Sequence, residues 1–432
     1  MRRFTPIREM PEGLRRLCRS IRNLNLRLRA ERRWPASLGV ELRLAERNFS
    51  RTIRRRYDKP LKRQTLRRAA VLPFAQLLEL WRGGSAYQGG PQPCRGEVCP
   101  ALLQFRGEQV VSDPLDVEPG EPLQTLAGRW FWCGPISDHF GHMVGEFSGR
   151  ILAASLDPRP GTLLFASRSG ESRQLEGLTT WQRSLLNHLN PAGKPIQLLR
   201  APSQVESLVV IPPQQRMLAL PTAWQLAALE HCCKRWRGEP IEQVVVLSRA
   251  RHAGCTQASD LLGSYAGEAA LDALLERCGA RVVYPETLSL EEQLRIVVNA
   301  RCLLVSEGSA LHGLELVGHQ PQTQVLVVAR RPPWPGMDLP LRARFPRLHW
   351  LDAVEELLWQ PPANPRVKGL ARLNLDRLLD QLGSCLGWSF STDERHQVQQ
   401  AADRQIQELA KLLPLQRDSN PPRQPPAGMA GW

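Results

Sequence analysis

Apolar and polar residues alternate most regularly between Ile241 and Ala329. Short apolar runs predict buried strands, and stretches with apolar residues three or four positions apart predict helices. Ser289 followed by Glu292 forms a capping box, which predicts a helix start. Such alternation indicates a parallel sheet wrapped by helices, with ligands at the carboxyl ends of the strands. The predicted elements are strand 243–247, helix 268–278, strand 281–284, helix 289–299, strand 302–305, a helix from about Ser309 and strand 324–329.

The regions outside this alternation carry weaker patterns. Aromatic residues at 130–132 predict a strand, and helical spacing follows at 138–154. A basic amphipathic helix is expected at 13–33, and a second amphipathic helix at 394–412. Residues 83–128 are rich in Gly and Pro, which predicts irregular strands or a linker.

Positive charge is concentrated at the amino-terminal end. The 432 residues hold 57 Lys and Arg against 42 Asp and Glu, a formal charge of +15. Residues 1–83 alone hold 23 basic against 7 acidic side chains, and the remaining residues come to −1. The basic character therefore belongs to an extension and not to the α/β region. Such an extension can lie on an anionic membrane or dock on the protein's own surface, whereas specific nucleic-acid binding is not expected without interleaved aromatic residues.

The ten cysteines form no C-x-x-C pair, so a zinc site is not expected. Cys133, Cys278 and Cys302 lie in apolar runs and are predicted to be buried thiols, which fits a reducing compartment. No segment approaches the roughly 18 apolar residues of a membrane span, and Met1 is not followed by the apolar core of a signal peptide. We therefore expect a cytoplasmic protein.

Segment 301–313 carries the first candidate site. An apolar strand runs into Glu307, Gly308 and Ser309 at a predicted helix start, and His312 follows one turn later. Free backbone N–H groups at such a turn bind anions, Gly308 permits close backbone approach, and Ser309 can cap the helix while donating to a phosphate oxygen. A simple helix start explains the same residues equally well. The Glu307 carboxylate would repel a diphosphate unless it binds a ribose hydroxyl or points away.

Residues 138–154 carry the second candidate site. On a helix, His139, His142, Glu146 and Arg150 share one face, because they lie three or four residues apart. This polar face is costly to bury, so we expect it to line a cleft in which His142, oriented by Glu146, serves as general base. A network that only joins two domains, or less favourably a metal site, would use the same residues. The small residues beside this face permit close packing against a neighbour, and they are Gly141, Gly145, Gly149 and Ala153.

The third candidate site is formed by Ser248 and Arg249, which end the predicted strand 243–247. An arginine there can make bidentate bonds to phosphate and stabilise a leaving diphosphate. A solvated basic loop would have the same sequence. Because this site and the turn 306–309 end strands of one predicted sheet, we expect both to bind a nucleotide sugar.

In their order along the chain, these residues resemble the landmarks of glycosyltransferase family 61. The resemblance covers about residues 128–330. Many members have Asn directly after the final His, where this chain has Gly313. The motifs are Gly134-Pro135 through His139-Phe140-Gly141-His142 with Glu146; Ser248-Arg249; Pro285-Glu286-Thr287-Leu288-Ser289-Leu290 with Glu292-Gln293; and Glu307-Gly308-Ser309-Ala310-Leu311-His312.

The resemblance implies an α/β fold of the GT-B type, in which two Rossmann-like domains face a cleft. It also implies inverting transfer from a nucleotide sugar, with no cofactor and no bound metal. The chain contains no Asp-x-Asp motif, which independently favours GT-B over the single-domain GT-A type. The predicted divisions are a basic, mainly helical extension at 1–90, an acceptor-side α/β domain at 91–235, a nucleotide-sugar-binding domain at 236–365, and helices with a Pro-rich disordered tail at 366–432.

We therefore expect an inverting glycosyltransferase of polysaccharide or cell-surface glycan biosynthesis. Its partners would be a nucleotide-sugar donor, a glycan acceptor and an anionic membrane touched by residues 1–83, on the inner face of the plasma membrane. The alternative is a catalytically inactive relative that acts as a scaffold, docked on membranes or polyanions by the same basic segment. The predicted catalytic residues are His142, Glu146 and His139, and the predicted donor-binding residues are Ser248, Arg249, Glu307, Gly308, Ser309 and His312.

Overall fold

Two large β-sheets organise the part of the chain that the structure describes. The structure is a computed structural model, and all its described residues belong to one compact unit, Ile53–Trp432. The predicted helix at 13–33 and the predicted tail at 421–432 lie outside the described residues. The described ranges are 63–76, 87–92, 100–106, 109–110, 112–113, 124–167, 175–251, 263–331, 335–361 and 368–419.

The first sheet is mixed. Its strands and a small separate hairpin (β3 with β4) are β1 (Gln64–Gln76), β2 (Tyr87–Pro91), β3 (Phe105–Arg106), β4 (Gln109–Val110), β5 (Ser112–Asp113), β6 (Gln124–Pro135), β7 (Thr162–Ala166), β8 (Ile196–Leu199) and β9 (Ser203–Val210). The order in the sheet is β5-β2-β1-β9-β6-β7-β8. Strands β9, β6, β7 and β8 run parallel, whereas β1 pairs antiparallel with β9 and β2. The strand predicted from the aromatic residues at 130–132 is confirmed as part of β6.

Strand β1 and all but the last residue of β2 fall within the segment 1–90, for which the sequence predicts a mainly helical extension. In β1 the exposed Arg67 and Arg68 precede the buried Ala69 and Val71. These charges continue the basic run of the extension, so the sequence does not show the alternation of apolar and polar residues that predicts a strand. The end of that segment is thus part of the sheet.

A continuous helical segment follows β6 at residues 140–155, as predicted, and is called here the histidine helix. It begins with α1 (Phe140–His142) and passes through a π-helical turn (Met143–Phe147) and a 3₁₀ turn (Ser148–Arg150) into α2 (Ile151–Ser155). Turns of the π type inside α-helices occur frequently at functional sites. The helix is therefore irregular at the positions that carry its polar residues.

The glycines of the histidine helix permit very close packing, as the sequence indicated. A Cβ atom on Gly149 would overlap the carbonyl oxygen of Gln215, and one on Gly145 would lie 3.0 Å from Nδ1 of His312. The carbonyl of Gly149 also accepts a 2.7 Å hydrogen bond from the N–H of Gln214. The loop after β9 therefore lies directly on the helix backbone.

The second sheet is fully parallel, and it confirms the predicted alternation. Its strands are β10 (Ile241–Leu247), β11 (Arg281–Val283), β12 (Ala300–Ser306), β13 (Gln324–Val328) and β14 (Arg347–Leu351), in the order β11-β10-β12-β13-β14. Helix α3 (Thr180–Leu189) lies between β7 and β8 of the first sheet, and α4 (Ala223–Cys233) follows that sheet. The helices between the strands of the second sheet are α5 (Glu268–Arg277), α6 (Leu290–Asn299) and α7 (Pro335–Arg342). The predicted capping box at Ser289 and Glu292 is present at the start of α6.

The segment Ser309–Leu316 is a 3₁₀-helix, where the sequence suggested an ordinary helix. Its buried Leu311 and Leu314 lie three residues apart, and Val317 continues the same spacing. A helix with three residues per turn places all three on one face, so their burial favours the tighter form. Side chains at positions i and i+3 eclipse in this geometry, which brings His312 over Glu315.

One hydrophobic core joins the two sheets. Phe131 and Phe165 of the first sheet belong to the same buried cluster as Val305 and Val327 of the second. The alternate residues of the second sheet, such as Leu304, face a separate cluster under the carboxyl-terminal helices. Both faces of the parallel sheet are thus covered, as such sheets require.

The carboxyl-terminal part packs on this outer face. The helix predicted at 394–412 is confirmed, and it begins at Thr392 after the Ser391 capping box. No helix among the described residues is both long and apolar enough to span a membrane. The elements of this part are β15 (Val354–Trp359), β16 (Leu370–Leu373), α8 (Leu375–Leu386), α9 (Thr392–Leu412) and β17 (Gln416–Asp418), and the three strands form an antiparallel sheet.

Gly149→Ala should destabilise the fold, because the new methyl group overlaps the Gln215 backbone, which cannot move as a flexible side chain would. We expect a loss of about 1–3 kcal/mol in the free energy of unfolding, the usual range for overpacking. Urea unfolding of the full chain measures it. Gly238→Ala is the matched control, since no atom lies within 4 Å of its Cβ position; equal stability of the two variants would contradict the proposed packing.

Candidate active site

The strand order of the second sheet contains a reversal point between β10 and β12. From β10 the chain first adds β11 on one side and then returns to add β12, β13 and β14 on the other. In open parallel sheets the connections on the two sides of such a point lie on opposite faces, which leaves a crevice at the carboxyl ends of the strands. Here the crevice lies between Ser248, after β10, and Glu307, after β12.

Arg249 spans this crevice. Its Nη1 donates to the carbonyl oxygens of Gly263 and Glu307, at 2.7 and 3.1 Å. A Cβ atom on Gly308 would overlap the guanidinium group, so only glycine lets the arginine lie flat on this turn. Both of these hydrogen bonds use Nη1 of the guanidinium. The structure thus brings together Arg249 and Gly308, which the sequence placed at two separate candidate sites.

The Glu307 carboxylate is turned toward two arginines. It pairs with Nε of Arg331 and accepts a 3.1 Å hydrogen bond from the N–H of Arg330. The sequence left open whether Glu307 would repel an anion. Its negative charge is compensated by Arg331 at the end of β13, and the crevice keeps the charges of Arg249 and Arg330 in addition.

Arg330 carries a buried positive charge beside this crevice. Burial, and then the charge of Arg331, lowers the pKa of Arg330 to about 9. The charges of Glu307 and Arg249 act on the same group. A bound anion would stabilise the protonated guanidinium, so this end of the sheet is electrostatically suited to a phosphate-bearing ligand.

Ser248 is fully buried, so its side chain supports the crevice from below. Its hydroxyl donates to Asp272, and Ser306 at the end of β12 donates to Glu268 in the same way. The Glu268 carboxylate also accepts the N–H of Arg249, at 2.8 Å. The carboxylates of α5 therefore fix the two strand ends that flank the crevice.

Sequence reasoning missed these two carboxylates. Glu268 and Asp272 lie one turn apart on a helix that also buries Leu271 and Leu275. That spacing is equally typical of a solvated face. Their burial follows from the start of α5 at the strand ends, a tertiary feature that local spacing does not contain.

Ser309 is the first residue of the 3₁₀-helix and lies beside the arginine. The structure places Gly308 at the cap position, with no side-chain cap bond. The capping role expected for Ser309 is therefore wrong, although the residue stays partly exposed at the crevice. The polar groups at the start of this helix are therefore the backbone and the guanidinium of Arg249.

His312 reaches from this turn to the histidine helix. Its ring lies against Gly141 and Gly145, where Cβ atoms would come within 2.9 and 3.0 Å of it. Its Nδ1 is 2.6 Å from an oxygen of the buried Glu315. The ring thus joins the donor-side turn to the helix that carries the predicted base.

His142 and Glu146 form a second pair of imidazole and carboxylate. Nδ1 of His142 lies 3.0 Å from Oε2 of Glu146, whose side chain is fully buried, while His142 keeps a partial exposure. An imidazole held at Nδ1 by a carboxylate directs Nε2 outward as a proton acceptor. The predicted orientation of His142 by Glu146 is present in the structure.

His139 has a different role at the start of the helix. It is the N-cap residue, and its Nδ1 accepts a 3.3 Å hydrogen bond from the N–H of His142. Burial, followed by the charges of His142 and His312, lowers the pKa of His139 to about 4. The neutral ring therefore carries its proton on Nε2, where it can donate a hydrogen bond but accept no proton at neutral pH.

Arg150 lies on the same helix but away from these histidines. It is buried and donates to the side chain of Gln104 and to the carbonyl oxygens of Ala101 and Leu103. These partners lie in the same predicted domain (91–235) as the helix, so they fix segment 101–104 on the helix and do not form the network between two domains that the sequence allowed. Within the described ranges, no three His, Cys, Asp or Glu side chains gather into a set able to hold a metal ion.

Residues 140–326 match the family model described as Glycosyltransferase 61. A search of curated proteins found no significant match. The matched range begins at the histidine helix and ends inside β13, so it contains both imidazole and carboxylate pairs as well as Arg249. The resemblance found in the sequence is confirmed, and it indicates a glycosyltransferase.

Asp272→Asn should change how stability depends on pH. Burial raises the pKa of Asp272 to about 7 from an ordinary value of 3.8. Between these values the folded state holds a proton that the unfolded state has lost, so the parent loses stability as the pH rises from about 4 to 7. The asparagine variant lacks this loss, which we expect to be about 2–4 kcal/mol. Urea unfolding at several pH values measures the difference.

The exposed Asp393 at the start of α9 offers the control, because Asp393→Asn should leave the pH dependence of the parent unchanged. Parallel stability curves for the parent and Asp272→Asn across this pH range would contradict a protonated Asp272.

Proposed function

We propose that this chain, a relative of glycosyltransferase family 61 over residues 140–326, is an inverting glycosyltransferase that moves a sugar from a nucleotide sugar to a hydroxyl group of a glycan. The observation that carries the proposal is the position of Arg249 on Gly308, at the reversal point of the parallel sheet. We place the reaction in polysaccharide or cell-surface glycan biosynthesis. The family match gives no support to the alternative of an inactive scaffold protein.

The donor diphosphate would bind at the crevice. Arg249 offers N–H groups of its guanidinium, and the turn at Gly308 and Ser309 offers backbone N–H groups. The nearby charges of Arg330 and Arg331 would stabilise the diphosphate as it leaves. Because these cations can supply the positive charge, we propose transfer without a bound metal ion.

The acceptor would bind over the histidine helix. Its hydroxyl oxygen attacks the anomeric carbon of the donor, the bond from this carbon to the diphosphate oxygen breaks, and the hydroxyl proton passes to Nε2 of His142. Glu146 stabilises the imidazolium that forms. One displacement of this kind inverts the configuration at the anomeric carbon.

The remaining histidines would contact the sugars. His139 presents an N–H donor and His312 an acceptor nitrogen on the same side of the helix, a pair suited to the hydroxyl groups of the transferred sugar. We further propose a GT-B type arrangement. In it the second sheet binds the donor, and the histidine helix, which follows β6 of the first sheet, carries the base. A cytoplasmic location at an anionic membrane, reached through residues 1–83, stays a proposal that rests on charge.

Arg249→Ala should weaken binding of nucleoside diphosphates by at least about tenfold, because a charge-assisted hydrogen bond to phosphate is lost. Isothermal titration of the full chain with a panel of nucleoside diphosphates and nucleotide sugars measures it. Arg249→Lys keeps the charge but loses the planar fork, so it should recover only part of the affinity.

Arg301→Ala is the matched control, since this exposed arginine lies at the amino end of β12, the end opposite the crevice. Binding that responds equally to Arg249→Ala and Arg301→Ala would place the diphosphate elsewhere. If the parent binds none of the ligands in the panel, the proposed function fails.

His142→Ala should lower sugar transfer by at least about 100-fold at saturating donor, which is the usual contribution of a general base. Glu146→Gln should have a smaller effect in the same direction, because the amide does not stabilise an imidazolium. Product formation with the nucleotide sugar that binds best measures both. His231→Ala, at an exposed position of α4, serves as control; unchanged transfer in His142→Ala would exclude this residue as the base.

A further inference from the structure

His312 is held by a chain of buried polar side chains that comes from three parts of the fold. Its Nδ1 contacts Oε1 of Glu315, and Oε2 of Glu315 accepts a 2.8 Å hydrogen bond from Nε2 of Gln215. The amide oxygen of Gln215 accepts from Nη2 of Arg344. Glu315, Gln215 and Arg344 are each at least 99% buried. Three fully buried polar side chains are retained only where their hydrogen bonds are satisfied.

The chemistry of the partners fixes the orientation of every member. Arg344 has only N–H donors, and its other two nitrogens donate to the carbonyl oxygens of Val317 and Pro340. Gln215 must therefore direct its oxygen to Arg344 and its N–H groups to Glu315 and to the carbonyl oxygen of Val144. Glu315 accepts through one oxygen, so its other oxygen is left to accept from the Nδ1–H of His312.

Gln215 is held in place through both its backbone and its side chain. Its backbone lies on Gly149 of the histidine helix, while its side chain bonds to residues from the 3₁₀-helix and from the segment after α7. A single residue thus relates the ring of His312 to the helix that carries His142.

We propose that Gln215, with Glu315 and Arg344, is a positioning residue that fixes His312 in the tautomer whose Nε2 accepts a hydrogen bond from a sugar hydroxyl. The identification of the ligand of His312 as a sugar hydroxyl rests on the proposed function. The assignment of the His312 tautomer does not depend on the proposed function. A carboxylate that accepts from Nδ1–H leaves Nε2 as the acceptor, while Arg344 fixes which end of the Gln215 amide meets that carboxylate.

Glu315→Gln tests the direction of this chain. Because Arg344 keeps the Gln215 amide in place, the new side chain must direct its oxygen to Gln215 and its NH₂ group to His312. Nδ1 of His312 then becomes the acceptor, and the proton moves to Nε2. Histidine ¹⁵N NMR of the labelled full chain at pH 8 distinguishes the protonated from the unprotonated ring nitrogen, and His312→Gln assigns the signal among the nine histidines.

A second substitution should shift the tautomer back toward that of the parent. In the double variant Gln215→Met with Glu315→Gln, Gln215 no longer orients the amide at 315, so the reversed tautomer is no longer enforced and the share of His312 with its proton on Nδ1 should rise above that in Glu315→Gln. Gln225→Met is the matched control, because Gln225 is an equally buried glutamine on α4 and does not belong to the hydrogen-bonded set of His312, Glu315, Gln215 and Arg344. It should leave the His312 signals unchanged. Circular dichroism of each variant confirms that it folds.

If sugar transfer is observed, Glu315→Gln should lower kcat by about tenfold to 100-fold with KM changed less than about threefold, and the double variant should regain part of this loss. An Nε2–H tautomer in the parent, an unchanged tautomer in Glu315→Gln, or a double variant with the same tautomer population as Glu315→Gln would each overturn the proposal. The NMR result stands without activity, so failure of the proposed function and failure of this inference are distinguishable.

Discussion

The contact of His312 with Gly141 and Gly145 is the constraint on which the site depends. Neither glycine has a Cβ atom, so the imidazole reaches the backbone of the histidine helix. Arg249 is linked to this contact through Glu307 and the 3₁₀-helix, and His142 is the direct neighbour of Gly141. The distance between the crevice and the helix that carries the predicted base is thereby set by steric fit, which varies less with pH and salt than an ion pair does.

Electrostatics adds to this steric frame at the strand ends. The carboxylates of Glu268 and Asp272 bind the serines that terminate β12 and β10, and they do so from within the fold. The guanidinium of Arg249 lies on the turn after β12, and the charge of Glu307 on that turn is paired with Arg331. The buried acidic side chains thus hold the backbone of the strand ends, which leaves Arg249 and Arg330 as positive charges at the crevice.

Much of the second sheet could be predicted, because its buried strands are continuous apolar runs and the Ser289 capping box marks one helix start. The sequence also predicted that Arg249 and Gly308 each follow a strand of this sheet, but their direct contact appears only in the structure, where β10 and β12 are neighbours. By contrast, β1 could not be predicted, because its exposed Arg67 and Arg68 continue the basic run of the amino-terminal segment and interrupt the apolar pattern of a strand. The buried chain from Arg344 to Glu315 was also missed, because its members come from distant segments and only tertiary contact brings them together.

The hydrophobic core shared by the two sheets has a consequence for how substrates enter and leave. A hinge motion that separated the sheets as rigid bodies would expose Phe131, Phe165 and Val305 to water, at a cost of about 25 cal/mol for each Å² uncovered. The cost of such a motion grows with the apolar area that it uncovers. Turnover in this protein is therefore expected to use local opening of surface segments around a stationary frame, and the frame itself would keep the same shape when empty and when loaded.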